Sequence, residues 1–241
     1  MWLFNRVKKL SESGMFEGFT DWHSHILPGV DDGIAKMEDA LAVLKRYEEL
    51  GIRKVWLTPH VMEDYPNTLE SLKERFRELK EAYKGNVELG LAAENMLDSL
   101  FEERLEKNEF MPIGDEGKHL LVETSYMNPP YAMEEMIAKA QSLGYTLILA
   151  HPERYRYMDE EDYRRWKDRG LLFQTNFISL VEGYGETARK KCEWLLKEGM
   201  IDICGSDVHR LNFFDRSVEM NPKKSAYLDM LKEVAQNPPI H

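Results

Sequence analysis

The sequence has 241 residues, of which 43% are hydrophobic, and it carries a formal net charge of −11. This length and composition suffice for one large domain with its own core, and they exclude a disordered chain. The acidic balance argues against binding of nucleic acid through clustered lysines and arginines, and two cysteines are too few for a disulfide framework.

The first 16 residues are predicted to form an extension before the main domain. Trp2, Leu3, Phe4, Val7 and Leu10 can share one apolar stripe of a helix, beside basic residues. We expect this helix to dock on the domain, and an anchor at a membrane surface is the alternative. The segment is too short and polar for a signal peptide, and no apolar run approaches the roughly 20 residues of a membrane span. A cytoplasmic protein without a transmembrane segment is therefore expected.

Residues 17–235 are predicted to form the main domain, followed by a short tail at 236–241. Runs rich in β-formers predict strands at 18–23, 54–58, 87–93, 119–123, 146–150, 172–175 and 202–205. Periodic apolar and charged stretches predict helices between them at 37–50, 69–83, 133–143, 160–169 and 186–198. This βα alternation indicates parallel strands with crossover helices. At this length it favours a closed or nearly closed barrel over an open, doubly wound sheet.

Ionisable side chains stand at the ends of these strands. They are His23, His25, His60, Glu94, Glu123, His151, Asp207 and His209. In βα barrels the C-terminal strand ends converge on the functional face, so these residues can meet at one site. Burying so many ionisable groups together is costly unless a cation compensates. Imidazole with carboxylate suits Zn, Mn or Fe, and the sequence therefore predicts a metal centre.

The phrases DWHSHILPGVDDG, TPH, AHPERY and GSDVH, with the two glutamates, resemble the polymerase and histidinol phosphatase (PHP) superfamily of metal-dependent phosphoesterases. Within it they are similar to the bacterial tyrosine phosphatases associated with capsule and exopolysaccharide, over about residues 19–217. The resemblance implies a single-domain, distorted (β/α)7 TIM-like barrel with up to three divalent metal ions, manganese first and Fe, Zn or Co as alternatives. The ligands it implies are His23, His25, Asp32, His60, Glu94, Glu123, His151, Asp207 and His209.

Asp32 is preferred over Asp31 as the ligand in the DDG segment. The alternative for Asp31-Asp32-Gly33 is an ordinary turn or helix cap.

The same resemblance implies hydrolysis of phosphotyrosine by metal-activated water, with a bacterial tyrosine kinase of polysaccharide synthesis as the phosphotyrosyl partner. Arg154 in HPER is the first candidate for binding phosphate, because a guanidinium can grip phosphate bidentately. Arg210 and Arg216 are the next candidates, or else surface arginines in a loop. Asp207 or His209 is a candidate general acid.

Two other mechanisms compete with this interpretation. A small-molecule phosphomonoesterase could use the same metal centre. The run CGSDVHR also satisfies the C-x5-R pattern of cysteine-dependent phosphatases, with Cys204 as nucleophile. Asp207 would then place a carboxylate inside the phosphate cradle, and a cysteine in an apolar strand is ordinarily a packing residue. We therefore expect metal chemistry. Nearby, Phe213 and Phe214 either stack on a tyrosyl ring or pack against the barrel rim.

Overall fold

The structure is a computed structural model that describes residues 7–240. Its paired strands are parallel to one another. The strands are β1 (Thr20–Ser24), β2 (Lys54–Leu57), β3 (His60–Val61), β4 (Glu88–Leu91), β5 (Glu94–Met96), β6 (His119–Glu123), β7 (Thr146–Ala150), β8 (Leu172–Asn176) and β9 (Ile203–Gly205). They form two sheets, with the orders β1-β2-β4 and β3-β5-β6-β7-β8-β9.

The two sheets are successive parts of one distorted barrel. β3 follows β2 after a two-residue break, and β5 follows β4 in the same way, so nine segments trace seven parallel courses. Beyond the end of β9, Asp207 N–H donates to the His23 carbonyl at 2.8 Å, and His25 N–H donates to the Val208 carbonyl at 3.1 Å. These bonds join β1 to the segment after β9. The predicted α/β class and the distorted (β/α)7 arrangement are confirmed.

The predicted helices are confirmed, with ends that differ by at most one residue. The observed helices are α1 (Met37–Leu50), α2 (Leu69–Ala82), α3 (Ser99–Lys107), α4 (Met133–Ser142), α5 (Glu160–Asp168), α6 (Gly185–Lys197), α7 (Leu211–Val218) and α8 (Ser225–Gln236). In α1 the buried residues Ala40, Val43, Leu44 and Tyr47 recur at helical spacing. Gly51 caps the C-terminus of this helix, and its φ of 86° is in the left-handed region that glycine adopts without strain.

Three helices were not predicted, namely α3, α7 and α8. The loop interpretation is wrong for Arg216, which lies in the last turn of α7. Arg210 is the loop residue directly before this helix, and its exposed side chain makes no cap hydrogen bond. The physical reason for the helix is an apolar pair at i and i+4: Phe214 and Val218 are fully buried and hold one face of α7 on the domain. Of the two roles considered for Phe214, stacking on a tyrosyl ring or packing against the barrel, the structure shows packing.

The barrel has a separate internal core beneath the strand ends. Trp22 and Trp56 stack there with ring centroids 6.2 Å apart, and Ile240 from the tail is fully buried in the same cluster. At the other end of the chain, Leu10 and Phe16 join the main core between strands and helices.

Residues 7–18 run through turns without a helix, so the predicted N-terminal helix is wrong for this part. Trp2, Leu3 and Phe4, the rest of its apolar stripe, lie outside the described residues. None of the helices within residues 7–240 has the length and apolar character needed to span a membrane.

Candidate metal centre

The strand ends bring the predicted ligands together at one face of the barrel. His23 lies in β1 with His25 just beyond it, His60 begins β3, Glu94 begins β5 and Glu123 ends β6. The remaining three follow β7 and β9, and they are His151, Asp207 and His209. Apart from His60 and His209, these side chains are buried.

Their donor atoms form four overlapping groups, in each of which the atoms lie within 4.8 Å of one another. The groups are His25, Asp32, His60 and His209; His23, His25 and Asp207; His23, Glu94 and His151; and His60, Glu94 and Glu123. Because several residues belong to two groups, the donor set is continuous, and it has the imidazole and carboxylate composition that divalent transition metals prefer.

Glu94 occupies the middle of this donor set. Its Oε2 lies 3.1 Å from His23 Nε2, 3.2 Å from His25 Nε2 and 3.1 Å from His60 Nδ1. Its Oε1 accepts a hydrogen bond from His151 Nε2 at 3.0 Å. Burial alone would raise the pKa of Glu94, but the neighbouring His23 and His60 hold that pKa well below its usual range. The carboxylate is therefore held in its ionised form.

Several buried polar atoms in this cluster lack a hydrogen-bond partner. They are Glu94 Oε2, Glu123 Oε1, His60 Nδ1 and His151 Nδ1. A buried carboxylate oxygen without a donor is costly, and a cation bound between these atoms would remove that cost. The residues present therefore fit a centre of divalent metal ions.

The two aspartates of the DDG turn have different surroundings. Asp31 accepts hydrogen bonds from His25 Nδ1 at 2.8 Å and from the backbone N–H of His60 and Gly33 at 3.0 Å each. Asp32 instead places Oδ1 3.4 Å from both His60 Nε2 and His209 Nε2. Asp31 thus orients His25 and closes the turn, whereas Asp32 faces the imidazoles of His60 and His209.

The backbone at two candidate ligands is strained. His151 has φ of 35° and Asp207 has φ of 53°, in the left-handed region that residues other than glycine rarely adopt. Such strain costs about 1–3 kcal/mol per residue and concentrates at functional sites. Gly205, which precedes this segment, permits a close approach, because a Cβ there would lie 2.6 Å from His23 Cβ.

An open cleft of about 800 Å³ lies over the donor set. Arg154 lines it, with its guanidinium 4.3 Å from the ring centroid of Tyr126 and 4.2 Å from that of Tyr184. Arg210 and Arg216 are exposed and line the same cleft. The three predicted arginines are therefore brought to the cleft, which also includes the side chains of Phe213 and Ile34.

Cys204 has none of the properties of a phosphatase nucleophile. It is fully buried in β9 and does not line the cleft. Burial raises the pKa of its thiol, and the nearby Asp21 and Cys192 raise it further. A thiol with a raised pKa stays protonated at neutral pH, whereas the thiolate is the reactive form.

Three residues whose side chains hydrogen-bond to side chains of the predicted ligands were not predicted from the sequence. Gln174 bonds to His23, and both Asn176 and Tyr184 bond to Asp207. The one available signal was the pair of amides in the otherwise apolar stretch LLFQTN, where side chains two residues apart share a face of the strand.

Comparison with known proteins identifies relatives of this chain. A family profile described as capsular polysaccharide synthesis, CpsB/CapC, matches residues 19–232. CapC from Staphylococcus aureus is 27% identical over 226 residues, which cover 90% of this chain and 88% of CapC. The tyrosine-protein phosphatase CpsB from Streptococcus pneumoniae is 28% identical over 205 residues, which cover 80% of this chain and 83% of CpsB.

A solved structure shares the fold. It is the structure of one of two proteins, YwqE from Bacillus subtilis or CpsB from Streptococcus pneumoniae, which are described as metal-dependent tyrosine phosphatases. Its TM-score is 0.75 with 22% sequence identity, over 92% of this chain and 96% of that one.

Proposed function

The chain belongs to the CpsB/CapC family of capsular polysaccharide synthesis, and on that basis we propose that it is a metal-dependent protein-tyrosine phosphatase. The observation that carries the proposal is the position of Glu94, whose buried Oε2 lies within 3.2 Å of nitrogen atoms of three histidines and accepts no hydrogen bond. A cluster of this kind beside a cleft that carries arginines is suited to phosphate-ester hydrolysis.

The residues proposed to hold the metal ions are His23, His25, Asp32, His60, Glu94, Glu123, His151, Asp207 and His209. Up to three ions are proposed, and manganese is the first choice for a donor set that also suits Fe, Zn and Co. Bound divalent cations supply Lewis-acid polarisation of phosphoryl oxygens and lower the pKa of water to near neutrality.

Arg154 is proposed to bind the phosphoryl group. Its guanidinium lies in the cleft next to the ligand Asp207, and it is held in place by the rings of Tyr126 and Tyr184. A guanidinium can donate two parallel hydrogen bonds to phosphate oxygens, which favours the charge that grows there in the transition state. Arg210 and Arg216, both exposed on the cleft, add positive charge where an anionic substrate would enter.

The leaving group of phosphotyrosine needs little protonation by the site. A phenol has a pKa of about 10, so its phenolate leaves with less protonation than an alkoxide would need. The proposal therefore does not require Asp207 or His209 to act as a general acid. Tyr184 and Phe213, whose ring centroids lie 6.0 Å apart, provide an aromatic wall for the phenyl ring.

The proposed substrate is a phosphotyrosyl protein, a bacterial tyrosine kinase of polysaccharide synthesis in the first instance. The family's description supports the link to capsule synthesis. We place the activity in the cytoplasm, where ATP is available to such a kinase.

The test is hydrolysis of a phosphotyrosyl peptide before chelation, after chelation and after re-addition of Mn²⁺. Loss and recovery of turnover are expected. Turnover that survives complete metal removal would overturn the proposed metal chemistry. A phosphoserine peptide and a small alkyl phosphate should be run beside it, and faster hydrolysis of the alkyl phosphate would favour a small-molecule phosphomonoesterase instead.

A further inference from the structure

Strand β8 carries two buried amides next to the metal centre. It contributes no ionisable side chain to the donor groups, yet Gln174 and Asn176 are fully buried at its C-terminal end. Because they are two residues apart in a strand, they lie on the same face. Buried amides are expensive unless their hydrogen bonds are satisfied, so their partners indicate what they do.

Gln174 bonds at both ends of its amide. Its Oε1 accepts hydrogen bonds from His23 Nδ1 at 2.8 Å and from the backbone N–H of His151 at 3.3 Å. Its Nε2 donates to the Thr175 carbonyl at 2.7 Å and to Asn176 Oδ1 at 2.9 Å. A reversed amide would set its NH₂ group against the His151 N–H, so only one orientation satisfies all four contacts.

This orientation fixes the proton on His23. An oxygen of Gln174 faces Nδ1, and Nδ1 must therefore carry the hydrogen. The lone pair of the neutral ring is then on Nε2, the atom that lies 3.1 Å from Glu94 Oε2 and 3.6 Å from Asp207 Oδ1.

Asn176 continues the chain to a second ligand. Its Nδ2 donates to Asp207 Oδ2 at 2.8 Å, and Arg154 Nη1 and the Tyr184 hydroxyl donate to the same oxygen at 2.6 and 3.2 Å. The other oxygen, Oδ1, is left facing His25 Nε2 and His209 Nδ1 at 3.4 Å each.

We propose that Gln174 and Asn176 are positioning residues that set the tautomer of His23 and the orientation of Asp207 for metal binding. The inference rests on the proposed metal centre. The hydrogen bonds run in one direction, from His23 to Gln174, from Gln174 to Asn176 and from Asn176 to Asp207, so each amide can serve its ligand only while the other keeps its orientation. Partners of this kind behind a metal ligand typically change metal affinity by about 10–100-fold when they are replaced.

The experiment measures binding of Mn²⁺ and Zn²⁺ by competition with a chelating indicator, on the metal-free full chain and without a phosphatase assay. Gln174→Leu and Asn176→Leu are each expected to weaken binding by about 10–100-fold. The double variant should bind metal with nearly the same affinity as the weaker-binding single variant. Either substitution alone already breaks the same series of hydrogen bonds.

Thr175→Val is the matched control. Thr175 is fully buried in the same strand, but its Oγ1 lies 3.4 Å from Cys192 Sγ rather than at the ligands. This variant should bind metal as the wild type does. Gln174→Glu preserves side-chain size and the acceptor for His23, but it removes the donor to the Thr175 carbonyl and to Asn176 Oδ1. It is also expected to weaken metal binding, and it keeps the test available where the leucine variants do not fold.

Three outcomes separate the two claims. Weakened binding in the Gln174 and Asn176 variants, with wild-type affinity in Thr175→Val, supports the inference. Wild-type affinity in all of the variants would overturn it and leave the metal centre standing. A wild-type chain that binds neither metal would overturn the proposed metal centre itself, and the inference with it.

Discussion

Arg154 and Asp207 form an ion pair in the cleft, with Arg154 Nη1 2.6 Å from Asp207 Oδ2. Burial alone would lower the pKa of Arg154, but the charge of Asp207 more than offsets it and raises that pKa above its usual range. Burial alone would likewise raise the pKa of Asp207, whereas the histidines and Arg154 around it hold that pKa well below its usual value. The pair is therefore fully charged, and it joins the proposed phosphate-binding residue to a proposed metal ligand.

Replacing Arg154 with alanine is expected to lower kcat/KM for a phosphotyrosyl peptide by about 100-fold. Metal content should be retained, because Asp207 Oδ2 keeps its donors Asn176 and Tyr184. Steady-state kinetics and elemental analysis of the purified variant check both parts.

Arg164→Ala is a suitable control for this variant, since Arg164 is an exposed arginine on α5 outside the cleft. Loss of metal from Arg154→Ala would contradict the prediction and make Arg154 a structural partner of Asp207. Arg154→Lys should stay well below wild type, because an ammonium cannot donate the paired hydrogen bonds of a guanidinium.

Glu94→Gln is expected to remove metal and turnover together. Glutamine has nearly the volume of glutamate but lacks the negative charge that faces His23, His25 and His60. The measurements are the metal content of the purified variant, by elemental mass spectrometry, and its rate of phosphotyrosyl-peptide hydrolysis. Glu102→Gln, an exposed glutamate on α3, serves as the control. Full metal content in Glu94→Gln would show that this carboxylate is not a ligand.

Most of the candidate site could be predicted from the sequence, from the types of residue at the strand ends and the two-residue repeat of side chains along a strand. His23, His60 and His151 were recognisable because several histidines and carboxylates stand at strand ends together, and parallel strands end at one face. Sequence alone favoured Asp32 over Asp31 by resemblance. The reason for their different environments is the turn conformation, in which Asp31 accepts from the backbone N–H of Gly33, and such a turn cannot be read from two adjacent aspartates.

Other parts of the site and the fold could not be predicted from the sequence, for physical reasons. Gln174 and Asn176 carry no charge at neutral pH, so no rule on ionisable groups singles them out, and their importance depends on partners up to 151 residues away. Helix α7 was missed because it is short, and its burial depends on a tertiary contact: the ring of Phe214 packs 5.3 Å from that of Tyr47 in α1. Packing of this kind overrides local propensity.

Cys204→Ala is expected to keep full turnover and metal content. The raised pKa of the buried thiol leaves it protonated at neutral pH, so iodoacetamide should not inactivate the folded enzyme. Removal of the sulfur should cost only about 1–2 kcal/mol of stability, measured by denaturant unfolding. Cys192→Ala is a matched control, because Cys192 is also fully buried and its thiol pKa is also raised by burial. A folded, metal-loaded Cys204→Ala variant without activity would revive the cysteine mechanism.

Phe213→Ala is expected to raise KM for a phosphotyrosyl peptide by about 2–10-fold, because an aromatic pair contributes about 0.5–1.5 kcal/mol. Phe213 lines the cleft and packs against Tyr184, so the loss should fall on substrates that carry an aryl group. KM for a small alkyl phosphate should change little, and the ratio of the two KM values is the quantity to measure. Phe76→Ala is the control, since Phe76 is a half-buried aromatic on α2 that does not line the cleft. An equal rise of KM for both substrates would mean that Phe213 supports the cleft without recognising the ring.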